Sequence, residues 1–123
     1  MSSRVWTRRA YDPPGRVDGR RVLVDRLWPR GVSRDDLEIG TWLRDVAPSD
    51  DLRRWYGHDT DKWEEFRRRY RDELADEPAS GALDELKALV DSGRVTLVFG
   101  AKDADHCNAT VLAEILAEHV ERN

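Results

Sequence analysis

The densest group of chemistry-bearing side chains in this sequence is KDADHCN, Lys102 to Asn108, set between a short apolar run and an amphipathic segment. Lys102 can supply a point charge to an anion. Arg26 and Arg30, from the earlier stretch VDRLWPRG, can supply planar guanidinium forks suited to phosphate or carboxylate. With Asp105 as the cap of a following helix, the first amides of that helix would face the same anion. The expected ligand-binding set is Asp25, Arg26, Trp28, Arg30, Lys102 and Asn108, provided that the two stretches end neighbouring strands. Loop ion pairs and ordinary helix caps account for the same residues without any ligand.

Two histidines extend the set toward acid–base chemistry. His58 sits in the turn Gly57-His58-Asp59, and His106 opens the final helical stretch, each with a carboxylate close in sequence, Asp59 and Asp103. A carboxylate that orients an imidazole makes it a proton carrier near neutral pH. The bland reading is a turn histidine and a cap histidine. Cys107 lies beside His106 where a helix start can lower a thiol pKa, yet the C-x5-R phosphate cradle is absent and no second cysteine exists to resolve an oxidised product. A small residue packed behind the helix explains it more simply. No compact metal signature such as HExxH occurs, and no metal is assigned.

These residues need a scaffold that brings distant segments together. Val95, Leu97, Val98 and Phe99 form an apolar run that fits a strand covered on both faces. Ala109, Leu112, Ile115 and Leu116 then recur at helical spacing. Ligands in open α/β sheets sit at such strand-to-helix junctions. Upstream, Val5 and Thr7 open an extended segment that DPPG ends, and Asp18-Gly19 turns the chain into Arg21–Asp25. These two segments can form a hairpin, but a tight Asp-Gly turn and a parallel arrangement are not compatible, so the ladder direction stays open. Ser33 with Asp36 suggests a helix start, and residues 37–46 fit neither period. Ser49 can cap a helix through Trp55, Asp59 or Thr60 a long one over 61–76, and Leu83, Leu86, Leu89 and Val90 a further one. The helical stretch between the strands at Arg21 and Gly93 is long enough for a parallel crossover. The expected fold class is α/β, a small single domain over 1–123 whose short sheet has parallel core pairing and several flanking helices.

Composition narrows the options. At 123 residues the chain supports one domain and one core. Residues 1–34 carry nine arginines against three aspartates, +6, so the net charge of −4 leaves −10 for the rest. That asymmetry makes either a basic face or an arginine-rich edge paired with acidic helices. A lone cysteine rules out an internal disulfide, and no apolar stretch is long enough to span a bilayer. The arginine-rich start lacks the apolar region of a secretory signal, and a cytoplasmic location is expected. All five tryptophans lie between residues 6 and 63, whereas Leu, Val and Ala dominate after Asp76, so two differently built parts must share one interior.

Four separated blocks, VDRLWPRGVSR, APS with LRRWYGHD, KWEEFRRRYRDEL and VTLVFGAKDADHCNATVLAE, resemble the domain-of-unknown-function family 488, in its YeaO-like branch. The likeness runs from Arg4 to Leu116 and implies a small α/β domain, with no established reaction. Its motif positions fall on Asp25, Arg26, Trp28, Pro29, Arg30, Gly31, Gly57, His58, Asp59, Trp63, Phe66, Tyr70, Lys102, Asp103, His106 and Asn108. In that branch Asn commonly stands where this chain has Cys107. More distant relatives carry Cys-His-Arg near this junction, and Asn108 and Ala109 replace its last two residues here.

The leading expectation is a protein that binds a phosphate-bearing small molecule, such as a nucleotide, with nucleic acid a weaker partner because no recognition-module signature is present. The alternative is a small hydrolase or transferase using His58 or His106, and a third reading is an aromatic interaction surface. No glycine-rich nucleotide loop is present and the cofactor is unassigned. No membrane partner is expected, and the oligomeric state is open.

Overall fold

The computed structural model describes residues 4–122; the ends of the 1–123 domain assignment lie outside them. Four strands form one all-parallel sheet in the order β1-β4-β2-β3, with β1 at Val5–Arg9, β2 at Arg20–Leu23, β3 at Thr41–Trp42 and β4 at Val95–Phe99. The fold is therefore α/β, with the run around Phe99 in the middle of the sheet. Every residue of β4 is buried, as its near-continuous apolarity requires of an interior parallel strand. No hairpin joins β1 to β2. Both instead pair with β4, Val5 and Arg20 each opposite Val95, which settles the ladder direction as parallel. Gly19 makes the entry to β2 possible. It sits at φ +67°, and a Cβ there would lie 2.4 Å from the Arg94 carbonyl oxygen, the acceptor that starts the β2–β4 ladder at Arg20.

Period-two alternation sorts the strands onto two faces. Val22, Val24, Val95, Leu97 and Phe99 face the larger cluster, where they meet Leu86 and Val90 of α4 (Ala79–Ser92) and Leu112 and Leu116 of α5 (Asn108–Arg122). Phe66 and Tyr70 of α3 (Trp63–Glu73) and Leu52 and Tyr56 of α2 (Asp50–Tyr56) complete that layer. Leu23 and Val98 point the other way, to Ala10 and Leu37, roofed by Trp28, Val32, Ile39 and Trp42. The expected single interior is thus two clusters separated by the sheet. Trp28 and Trp42 pack edge to face at 5.4 Å, and each indole N–H is committed, to the Val32 and Asp25 carbonyls at 2.7 Å.

The segment over 37–46 resolves into a four-residue α1 (Arg34–Leu37) capped by Ser33, the two-residue β3, and a 3-10 turn at Arg44–Val46. Ser49 caps α2 by accepting from the Leu52 amide. Asp59 caps a 3-10 turn at Thr60–Lys62, so α3 begins only at Trp63 and ends at Glu73, shorter than its charge pattern suggested. Among the described residues no ion pair joins the arginine-rich start to the acidic helices. Arg8 and Arg21 meet Asp18, Arg9 donates to the Ala101 carbonyl, and Arg34 stacks over Trp28. The helical acids already have partners of their own: Glu65 holds Arg68 and Arg69, while Glu114 and Glu118 of α5 hold Arg67 and Arg71 of α3.

Candidate functional site

All four strands run the same way, so their carboxyl ends share one edge. From β2 the chain moves outward to β3; from β4 it returns through α5, which packs on β1 at the other side. Connections that leave neighbouring strands in opposite directions open a crevice between them. A cleft of about 300 Å³ lies there, lined by Asp25, Arg26 and Leu27 after β2, Gly100 and Ala101 after β4, and Cys107 and Asn108 at the start of α5. Ala47, Pro48, Asp50, Arg53, Tyr56 and His58 form the α2 wall, and Phe66 reaches it from α3.

Asp25 ties the strand ends together. Its carboxylate accepts from the Gly100 amide at 2.8 Å and from Asn108 Nδ2 at 3.2 Å, and the same Asn108 nitrogen donates to the Val24 carbonyl at 3.0 Å. Burial pushes the Asp25 carboxyl above its ordinary value, and the Gly100 and Asn108 donors offset that only in part. Among the described residues its hydrogen-bond partners are these two neutral donors. Arg26 donates through Nη2 to the Ala47 carbonyl at 3.3 Å, while its Nε is buried without a hydrogen-bond partner. A buried guanidinium donor left open is costly in a folded chain.

The α2 wall is held from behind. Glu73 of α3 accepts from both the Ser49 amide, at 2.8 Å, and the Ser49 hydroxyl, at 2.5 Å, which fixes the start of α2 and with it Asp50 and Arg53. Tyr70, fully buried, donates to the Val46 carbonyl just ahead of Ala47. At the other end of α2, Gly57 and His58 both take left-handed backbone, φ 54° and 59°. For histidine this is an uncommon conformation, and such strain collects where the surrounding structure needs the side chain in place. Replacing His58 by Gly is expected to stabilise the fold by about 0.5 kcal/mol, since relief of the left-handed cost exceeds the added freedom of the unfolded chain. Urea denaturation checks this, and a loss of stability would mean that the ring's packing on Tyr56, 6.2 Å between centroids, outweighs the strain.

The sequence-derived residues separate into two groups. Asp25, Arg26, Asn108 and His58 line the cleft; Trp28, Arg30, Asp59, Lys102, Asp103 and His106 are not among its lining residues. Trp28 roofs the opposite face of the sheet, Arg30 and Lys102 are exposed, and Asp59 is spent as a cap, accepting from the Asp61 amide. His106 and Asp103 do form a pair, Nδ1 to Oδ2 at 2.9 Å, half-exposed, with the His106 ring edge-on to Trp63 at 5.2 Å. The hydrogen bond from His106 holds the Asp103 carboxyl below its ordinary value. The last helix starts at Asn108, not at Asp105, whose amide instead donates to Asp103. Cys107 occupies the capping position with its sulfur 3.7 Å from the Thr110 hydroxyl. Burial pushes the thiol up, more than the Thr110 and Ala109 amides draw it down, so it is a neutral thiol and a poor nucleophile. The Thr110 amide is committed to the Cys107 carbonyl at 3.1 Å and is no open anion donor.

Asp50, Arg53, Tyr56 and Phe66 complete the cleft without having been singled out as site residues. Phe66 fell among the family motif positions and Arg53 and Tyr56 within the quoted block LRRWYGHD, the only signals that pointed to them. Among the described residues no three of His, Cys, Asp and Glu converge as a metal site, and no helix is long and apolar enough to cross a membrane.

The family whose model matches residues 4–123 is described as the inactive DUF488-N3 subclade. The chain belongs to this DUF488 family. Within it the chain stands in the YeaO-like branch: it is 38% identical over 115 residues to the uncharacterized protein YeaO of Escherichia coli K12, covering 91% of this chain and 96% of YeaO. Uncharacterized proteins of Mycobacterium tuberculosis H37Rv and Mycobacterium bovis are 44% identical over 114 residues, covering 93% of this chain and 94% of each relative. No solved structure matches this DUF488 chain. These relatives are themselves of unknown function.

Proposed function

We propose that this DUF488 protein is a non-catalytic binding protein for a compact anionic molecule, phosphate- or carboxylate-bearing, held in the cleft at the ends of β2 and β4. The observation that carries this reading is Arg26, a half-buried side chain lining the cleft whose guanidinium makes one hydrogen bond, from Nη2 to the Ala47 carbonyl. An anion that accepts from its terminal nitrogens gains charge-assisted hydrogen bonds, and Arg53 adds a second guanidinium to the cleft lining. A volume of about 300 Å³ is at the small end of ligand pockets and suits a compact molecule more than a polymer strand. Rings that would stack nucleic-acid bases are occupied: Arg94 covers Trp6, Arg9 covers Tyr11 and Arg34 covers Trp28.

The hydrolase or transferase alternative draws on His58, the one histidine lining the cleft, and on its left-handed backbone. Its weakness is that the paired imidazole, His106 with Asp103, stands outside the lining, and the description of the subclade as inactive favours binding without turnover. Titration of the protein with inorganic phosphate and with acetate, followed by backbone amide NMR, tests the binding reading. Shifts should saturate at Gly100, Ala101 and Asn108, and Arg26→Met should weaken binding by about tenfold, the loss of one charge-assisted hydrogen bond. Lys102→Met, exposed and outside the cleft, should leave it unchanged. Equal affinity in the wild type and Arg26→Met would sink the proposal.

A further inference from the structure

Resting on that binding reading, we propose that the ligand is a monocarboxylate with a compact apolar or aromatic body, its carboxylate on Arg26 and its body on the cleft floor. Three observations select a carboxylate over a phosphate. The two guanidiniums that line the cleft are matched by two carboxyls, Asp25 and Asp50, and Asp50 already lies 3.5 Å from Arg53. That leaves no surplus of positive charge for a dianion, whereas a monoanion needs only Arg26. The Thr110 amide of α5 is committed to the Cys107 carbonyl, and Asn108 Nδ2 to Val24 and Asp25, so the additional oxygens of a phosphate would find few donors. The terminal nitrogens of Arg26 form a planar fork whose spacing fits the two oxygens of a carboxylate, with one hydrogen bond, from Nη2 to the Ala47 carbonyl, already made.

The rest of the cleft calls for an apolar body. Ala47, Phe66, Ala101 and Cys107 line it, and Phe66 and Cys107 are buried. Leu27, at the rim, is 72% exposed, the most exposed large hydrophobic residue described in the chain. It follows Arg26 directly, so a ligand anchored on that guanidinium lies within reach of the leucine side chain, which would lose its contact with water on binding. Acetate satisfies the fork and leaves this surface wet; benzoate or cyclohexanecarboxylate satisfies both.

The test is a comparison of acetate, benzoate, cyclohexanecarboxylate, inorganic phosphate and phenyl phosphate by calorimetry and amide NMR on the full chain. The two larger carboxylates should bind about tenfold tighter than acetate, the gain from burying one side-chain-sized apolar group, and tighter than either phosphate. Leu27→Asn, at an exposed position that does not endanger folding, should remove about half of that advantage on a logarithmic scale while leaving acetate unchanged. Arg26→Lys, which keeps the charge and loses the fork, should weaken benzoate by about tenfold. Phenyl phosphate or inorganic phosphate binding as tightly as benzoate overturns the inference and leaves the anion-binding reading standing. The same holds if Leu27→Asn does not change benzoate affinity. Failure of every probe to bind in the cleft overturns both.

Discussion

Replacing Asp18 by Ala is expected to lower the unfolding free energy by about 4 kcal/mol, the typical cost of breaking a buried ion pair from one side. Asp18 is 1% exposed and its partner Arg21 is 5% exposed. Asp18 Oδ2 accepts from Arg21 Nη1 at 2.6 Å and from the Gly15 amide at 2.9 Å, and Arg8 approaches Oδ1 at 3.3 Å. Without the carboxylate, Arg21 stays on β2 beneath α1 with one acceptor left, the Leu37 carbonyl at 2.9 Å. A charge in that position can neither reach water nor lose its proton. The double replacement Asp18→Ala with Arg21→Met should recover most of the loss, because the burial cost disappears along with the charge. Urea denaturation of the single and double variants decides it, and a single variant within about 1 kcal/mol of wild type would mean that water reaches the guanidinium.

The same residue sets a sign for acid sensitivity. Burial alone would raise the Asp18 carboxyl, but the Gly15 amide, Arg21 and Arg8 outweigh it and hold the group below its ordinary 3.8. A carboxyl depressed on folding contributes stability that is complete above the ordinary value and is lost as pH falls through the lower folded value. Acid unfolding should therefore be shallower in the Asp18→Ala variant than in wild type.

Replacing Asp25 by Ala should destabilise the fold by about 2 kcal/mol, since it orphans the Gly100 amide and removes one of the two acceptors of Asn108 Nδ2 at the junction of β2, β4 and α5. Its pH behaviour should run opposite to that of Asp18. The carboxyl is raised on folding, mainly by burial, so the native state holds its proton more tightly than the unfolded chain does. Between the ordinary 3.8 and the raised folded value, stability then falls as pH rises, and above the folded value the penalty is constant. Asp25→Asn removes the titration, so the gap in stability between wild type and Asp25→Asn should shift in favour of the variant as pH climbs through that window. A gap independent of pH would show that Asp25 is solvated in the native state.

What the sequence alone determined is what local chemistry can write. The run Val95–Phe99 was readable as a strand covered on both faces, because Val95, Leu97, Val98 and Phe99 put apolar side chains on either side of it, and all five residues are buried. Ser33, Ser49 and Asp59 were readable as caps, since each accepts from an amide two or three residues on. Asp25, Arg26 and Asn108 were legible as cleft residues because they stand at strand ends and a helix start, where α/β sheets place ligands. Tertiary structure decided the rest. The parallel run of β1 and β2 depends on pairing with Val95 far along the chain, which no turn signal near Gly19 could report. β3 is two residues long, too short to show a period. Arg53, Tyr56 and Phe66 reach the cleft only because Glu73 and Tyr70 dock α2 and the preceding turn against α3. His106 leaves the site because a local carboxylate and the edge of Trp63 hold its ring elsewhere. Spacing along the chain gives an element its type, but which side chains converge is set by how the layers pack, and packing sums contacts that no single stretch contains.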